Sequence, residues 1–320
     1  MKDAMFSSIV GQRSIKRKLS FYVENYLSSR FIPNMFFVAP RGCGKTTIAK
    51  EVAKNLLSFE KSNGSPKDYI EINCGQIKNL NNFLSVIVAQ YIHDKEVTIL
   101  FDEASELPAD VQMGLLTILN PNTEMKNEFF FQDCRYQFDF TRQTFLFATT
   151  EVHKLFHALL DRLTRIDLEE YSRGDLANIL QMRSPKIVYE DGLPLIISSV
   201  LRGNGRQAQL MANDINTYSK AKGSNSFTSD DWKIFKNRLS IAPLGLNANE
   251  LHVLNILDRD GACTLTNLSA KTLLTKECLQ RDIEMNLLRL NLMNVTTAGR
   301  AITGGGRKYI EEYKKELQNS

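Results

Sequence analysis

The chain has little of what small scaffolds and metal sites depend on. Among its 320 residues are five cysteines and four histidines. None of Cys43, Cys74, Cys134, Cys263 and Cys278 belongs to a CxxC pair. An odd, scattered set of cysteines in a chain this long points to a reducing compartment and argues against a disulfide framework or structural zinc. No apolar run reaches the roughly 18 residues that span a bilayer. The opening residues carry an acid at Asp3 and no long apolar stretch, so they do not read as a secretory signal, and a cytoplasmic location is expected. Neither sign of charge dominates: 40 Lys and Arg against 36 Asp and Glu leave +4. That balance is too mild to demand nucleic acid as a partner. Repeats at the scale of solenoids and low-complexity blocks are absent as well. At 43% hydrophobic and 24% charged residues, the composition excludes disorder as the dominant state, and the length suits two or three domains.

The apolar residues that are present fall into short runs. Residues 35–38, 69–72, 98–101 and 145–148 are branched or aromatic and flanked by polar residues, which predicts buried strands. Helical periodicity occupies 45–57, 79–92 and 109–119 between them. The alternation predicts an α/β fold with a parallel sheet covered on both faces. The polar, breaker-rich stretch 58–68 is expected at the surface. Residues 172–217 read as three or four helices with no strand signal, followed by a polar linker at 219–229. In the last segment, helices at 248–258, 265–273 and 276–290 precede two short strands around a glycine turn, the pattern of a winged helix.

The sharpest motif is Ala39-Pro40-Arg41-Gly42-Cys43-Gly44-Lys45-Thr46, directly after the first expected strand and at the start of a helix. Small residues at 42 and 44 let backbone N–H groups curl round a phosphate, and the helix N-terminus adds a favourable field. Lys45 would reach the β- and γ-phosphate oxygens, and Thr46 would hold Mg²⁺. Ala39 stands where the strict pattern has glycine. The plain alternative is a glycine-rich turn, and the flanking strand and helix weigh against it.

Asp102 and Glu103 follow the strand at 98–101. Asp102 suits Mg²⁺, and Glu103 suits the base that polarises an attacking water. Acids after a strand also serve as helix caps; the phosphate loop upstream favours the catalytic reading. Thr149 and Thr150 end the strand at 145–148 and either position that water or cap a turn. Arg162 lies beyond the last expected strand, where it would not easily reach its own phosphates. It reads either as an arginine offered to a neighbour's phosphates or as a solvated surface residue. Arg206, after Gly203-Asn204-Gly205, reads either as a lid arginine folding back on the γ-phosphate or as a surface residue.

Taken in order, these segments resemble the AAA+ ATPases, and among them the RuvB family, the motors of Holliday-junction branch migration. The resemblance spans about residues 8–313. It is carried by Ile9-Val10-Gly11-Gln12, the phosphate loop, Phe101-Asp102-Glu103, Ala148-Thr149-Thr150, Leu159-Leu160-Asp161-Arg162-Leu163, Tyr171, Gly203-Asn204-Gly205-Arg206, the stretch 244–250, and Thr297-Ala298-Gly299-Arg300. It implies an ATPase domain at 1–168, a helical lid at 169–243 and a winged helix at 244–320. It also implies ATP and Mg²⁺, a homo-oligomeric ring (a hexamer), and duplex or four-way-junction DNA as partner. By the same resemblance Ile9, Val10 and Tyr171 pack the adenine, while Arg41, Gly42, Cys43, Gly44, Lys45, Thr46 and Thr47 form the phosphate loop. Asp102 and Glu103 are the metal and water acids, Thr149 or Thr150 the first sensor, Arg162 the finger, Arg206 the second sensor, and Arg300 a wing residue that touches DNA phosphates.

The chain departs from the family in several places. The upstream strap containing Arg and Pro is absent. Leu160 replaces an arginine before the finger, Gly205 replaces a proline, and Val295 and Ala298 replace two basic wing residues, which lowers the expected DNA affinity. Residues 127–140 read as a β-hairpin in which Phe129, Phe130 and Phe131 are consecutive, so at least one would face outward if that arm is a strand. The family carries a hairpin here that docks the junction-binding subunit RuvA, so a partner or neighbouring subunit is expected on it. The competing reading covers all three phenylalanines with the chain's own core. Two other functions fit the ATPase core: a clamp-loader or helicase-loader subunit, and a winged-helix regulator with a degenerate ATPase. The winged helix argues against the first, and intact Lys45, Thr46, Asp102 and Glu103 against the second.

Overall fold

A computed structural model describes residues 5–61, 64–120, 126–131 and 134–318. The chain divides into one unit of Met1–Ile179 with Gly203–Leu210, and a second of Leu180–Arg202 with Met211–Ser320.

The first unit is built on strands β1 (Met35–Val38), β2 (Asp68–Asn73), β3 (Val97–Asp102), β4 (Lys126–Phe131), β5 (Cys134–Asp139), β6 (Thr144–Thr149) and β7 (Thr164–Asp167). Five of them form a parallel sheet in the order β2-β3-β6-β1-β7. Alternation of side chains sorts its residues into two layers. Phe36, Ile99, Phe101, Phe145 and Phe147 pack on one face with Val88, Val111 and Leu115. Met35, Phe37, Leu100, Leu146 and Ala148 pack on the other with Leu19, Val23, Ile48 and Val52. Phe101 stacks on Phe147 with ring centroids 4.9 Å apart, and cutting such a side chain back to alanine costs about 3–5 kcal/mol. Strands buried on both faces are apolar throughout, so their sequence runs were legible.

The edge strand β7 was not among the expected strands. Of its four residues only Ile166 is buried, and a half-solvated edge leaves no apolar run to read. The breaker-rich stretch 58–68 is not wholly at the surface. Ser58 and Lys67 are buried, and Lys67 Nζ donates to the Arg142 carbonyl at 2.9 Å. Breakers mark irregular backbone, which is not the same as exposure.

The hairpin expected at 127–140 is present as antiparallel β4 and β5, paired from Lys126↔Asp139 to Phe131↔Cys134. The orientation of Phe129, Phe130 and Phe131 lies outside the described residues. At the base of the hairpin, Phe138 and Phe140 are buried in the core, with Phe138 edge-on to His93 at 5.2 Å.

In the second unit, β8 (Val188–Tyr189) pairs in parallel with β9 (Ser226–Phe227), a strand pair too short to leave a sequence signal. The stretch expected as a linker at 219–229 belongs to the fold. It ends the helix Gly205–Lys222, supplies β9, and caps the helix Ser229–Arg238 through a Thr228/Asp231 capping box. Phe227, Trp232 and Phe235 form its core. Beyond it, the helices Ala248–Asp260 and Leu265–Thr272 and the helical run 276–289 precede β10 (Met293–Thr296) and β11 (Gly299–Ile302). This is the expected winged helix, closed by a helix at Gly304–Gln318. Gly299, at φ +121°, lies so close to Cys263 that a β-carbon would sit 2.4 Å from its carbonyl oxygen.

Candidate active site

Parallel register brings the motifs to one edge of the sheet. Val38 pairs with Thr149, and Asn73 with Asp102, so the phosphate loop, the acids and the threonines all leave the carboxyl ends of neighbouring strands. Binding crevices in open α/β sheets form at that edge.

Gly42 and Gly44 both adopt left-handed backbone, at φ +80° and +88°, and curl the loop into the helix Lys45–Asn55. Lys45 Nζ donates to the Ala39 and Pro40 carbonyls at 2.9 and 3.1 Å, bridging the ends of the loop. Burial pushes its ammonium below the usual lysine range, against the pull of Cys43, Asp102 and Glu103. Thr46 Oγ1 donates to Asp102 Oδ2 at 2.9 Å. Two hard oxygens in contact beside a phosphate loop are the donor set that Mg²⁺ takes.

Glu103 is held at φ +55°, a backbone state that non-glycine residues seldom adopt and that gathers at functional positions. Its exposed carboxylate makes no hydrogen bond among the described residues, while its N–H donates to Asp102 Oδ1 at 3.0 Å. Beneath the acids, burial and the charges of Asp102, Glu103 and Glu106 push the Cys74 thiol up, so it stays neutral. Thr149 is buried and its hydroxyl accepts from Glu151 N at 3.0 Å; Thr150 is half-buried.

The segment around Tyr171 and Asn204 also reaches the loop. A β-carbon on Gly42 would lie 1.9 Å from Asn204 Oδ1, and one on Gly44 would lie 2.5 Å from the Tyr171 hydroxyl. Gly205 N–H donates to the Gly42 carbonyl at 3.0 Å. The glycines of the loop therefore make room for these side chains as well as for a ligand. Burial, with Cys43 and Asp175 nearby, raises the Tyr171 phenol to about 12, so it remains a proton donor. Gln12 braces this region, exchanging bonds with Glu169 at 2.6 and 3.2 Å. Ile9 is buried in the core and Val10 is half-buried. Asn204 was missed in the sequence. Its Oδ1 accepts from Arg206 N and Gln207 N at 2.9 and 3.2 Å, and an asparagine just ahead of a helix is the helix-cap signal that would have marked it.

Arg41, Thr47 and Arg206 are exposed, and Cys43 is buried. Arg162 follows the short helix His157–Leu160 and precedes β7. Its Nη1 donates to the Ala158 carbonyl at 2.5 Å, while its buried Nε has no partner among the described residues. Arg300 is not disposed as expected for a phosphate ligand. Its Nε and Nη2 donate to the Glu284 carboxylate at 2.5 and 3.2 Å, with both side chains largely buried. That pair occupies the Nε and Nη2 side of the guanidinium.

A phosphate loop, two acids and strand-end threonines on a five-stranded parallel sheet, followed along the chain by a winged helix, define an AAA-class ATPase. Residues 35–172 match the family described as "ATPase family associated with various cellular activities (AAA)". Residues 243–311 match the "RuvB C-terminal winged helix domain", and within the class the chain is RuvB-like. A Holliday junction branch migration complex subunit RuvB from Rickettsia africae is 23% identical over 310 residues, covering 95% of this chain and 87% of the relative. Its counterpart from Neorickettsia sennetsu is 19% identical, covering 97% and 92%. The solved Thermotoga maritima RuvB, a Holliday junction branch migration motor, superposes with a TM-score of 0.73 at 19% identity, covering 94% of this chain and 95% of that one. Among the described residues no helix is long and apolar enough to cross a membrane.

Proposed function

We propose that this chain is an ATP-driven motor that moves four-way DNA junctions, working as a homo-oligomeric ring, a hexamer, in the cytoplasm. The observation that carries this reading is the juxtaposition at one sheet edge of Lys45, Thr46 bonded to Asp102, and the exposed Glu103, on a chain whose residues 243–311 match the RuvB winged helix. Residues 1–168 are the ATPase domain, 169–243 the lid and 244–320 the DNA-binding domain.

Backbone N–H groups of Gly42 to Lys45 and the Lys45 ammonium hold the β- and γ-phosphates, flanked by Arg41 and Thr47. Ile9, Val10 and Tyr171 line the adenine side. Thr46 and Asp102 hold Mg²⁺, which when bound neutralises charge on the phosphate oxygens. Glu103 takes the proton of the water that attacks the γ-phosphorus as the bond to ADP breaks, and Thr149 or Thr150 orients that water. Arg206 reports on the γ-phosphate. Arg162 serves the adjoining protomer; its Nη2 makes no hydrogen bond among the described residues, which leaves donors for phosphate oxygens. The hairpin β4–β5 docks a junction-binding partner of the RuvA kind. The winged helix favours this motor over a loader subunit, and Arg300 is paired with Glu284 through Nε and Nη2.

The test is dissociation of a synthetic four-way junction by the full chain with ATP and Mg²⁺, with and without a RuvA-type partner. Conversion to duplex products that requires hydrolysable ATP is expected. Binding of the junction with no conversion under either condition would point to the loader reading.

A further inference from the structure

The five residues Arg202–Arg206 hold the protein at both ends. At one end, Gly205 N–H donates to the Gly42 carbonyl of the phosphate loop at 3.0 Å, and Asn204 fills the space above Gly42. The bond is particular to this sequence, because the proline that Gly205 replaces has no N–H to donate. Between them, the Gly203 carbonyl accepts from Tyr171 N at 3.3 Å.

At the other end, Arg202 pairs with Glu250. Glu250 is fully buried at the start of the first winged-helix helix. Its carboxylate also accepts from Asn247 N at 2.8 Å and from Asn286 Nδ2 at 2.9 Å, and Asn286 lies in the helical run that precedes the wing. Arg202 is kept at φ +56°, an unfavourable backbone for arginine that the surrounding contacts must hold. The backbone is tight here: a β-carbon on Gly245 would lie 2.1 Å from the Val200 carbonyl oxygen. Two residues, Gly203 and Asn204, separate the winged-helix anchor from the phosphate-loop anchor.

We infer that Arg202–Arg206 is a coupling strap, with Arg202 and Glu250 as positioning residues that tie the state of the phosphate loop to the winged helix. The inference rests on the proposed reading, nucleotide at residues 39–46 and DNA at the winged helix. A displacement of Gly42 on phosphate binding pulls on Gly205, and the short tether passes that pull to Glu250 and so to Asn286. Free-energy coupling of this kind is reciprocal, so DNA must alter nucleotide affinity by the factor by which nucleotide alters DNA affinity.

The experiment measures the dissociation constant of a fluorescent ATP analogue on the full chain, with and without saturating linear duplex. The wild type is expected to show a ratio of roughly fivefold or more. The double variant Arg202→Met/Glu250→Gln removes both charges together, so that neither is left buried alone. It should keep its thermal midpoint and DNA-free nucleotide affinity while the ratio falls to one. Gly205→Pro, which leaves the ion pair intact, should collapse the ratio from the opposite end, and it carries the test should the double variant fail to fold. Arg202→Lys should restore part of the ratio, which a purely structural role would not require. A folded variant that binds both ligands and keeps the wild-type ratio overturns the strap. So does a wild type that binds both with a ratio of one. A wild type that binds neither overturns the reading beneath, and the strap with it.

Discussion

The phosphate-loop edge and the second unit treat their charges differently. At the loop edge the charged groups keep spare hydrogen-bonding capacity: the exposed Glu103 carboxylate makes no hydrogen bond among the described residues, and Arg206 is exposed. In the second unit the prominent charges are paired internally: Arg202 with Glu250, Lys222 with Asp231, and Arg300 with Glu284. Solvated charges beside a binding crevice are free to meet a ligand without first breaking an internal pair. Paired groups point to architecture. The lesson is sharpest for Arg300, which the family resemblance assigns to DNA phosphates and whose Nε and Nη2 bond Glu284.

The comparison can be broken in graded steps. Lys45→Ala should weaken nucleotide binding by more than about 100-fold, the loss expected when charge-assisted hydrogen bonds worth about 3 kcal/mol are removed; titration with a fluorescent nucleotide checks it. Arg162→Ala should lower turnover by about 10³-fold, as for other arginine fingers. Mixing it with Lys45→Ala protomers should restore part of the turnover, because each supplies what the other lacks. Mixed rings with no recovery would remove Arg162 from that role.

Smaller effects are expected where charges are already paired. Arg300→Ala should leave the slope of log affinity against log salt for duplex DNA unchanged. A slope shallower by about 0.9 would mean that Arg300 does touch a phosphate. Asp231 supplies a pH test. Burial pushes its carboxyl up, but Lys222 and the Thr228 backbone and hydroxyl outweigh that and hold it at about 2. Its unfolded value is about 3.9, so its stabilisation is complete above that pH and is lost as pH falls through about 2. Unfolding curves should therefore separate Asp231→Asn from the wild type at neutral pH and merge them near pH 2.

The parts of this design that the sequence made legible are those governed by local rules. Buried strands such as Val97–Asp102 announce themselves by continuous apolar residues, and the phosphate loop by glycines between a strand and a helix. What escaped depends on distant packing. β7 is an edge with one inward side chain, Ile166. The Thr228–Asp231 cap, with Lys222 bonded to Asp231, turned an apparent linker into structure. Asn204 matters because it meets Gly42, 162 positions earlier in the chain, and Arg300 because Glu284 faces it. No spacing rule announces either meeting.

The central claim, that ATP is hydrolysed at the edge formed by Lys45, Asp102 and Glu103 and that its use is tied to DNA, is tested most directly by steady-state ATPase turnover of the wild type and Glu103→Gln, each with and without four-way-junction DNA. DNA should raise wild-type turnover, and Glu103→Gln should bind ATP yet lose about 10²-fold or more of that turnover under both conditions, as expected for removal of a general base. Turnover that persists in Glu103→Gln, or that ignores DNA in the wild type, would contradict the account.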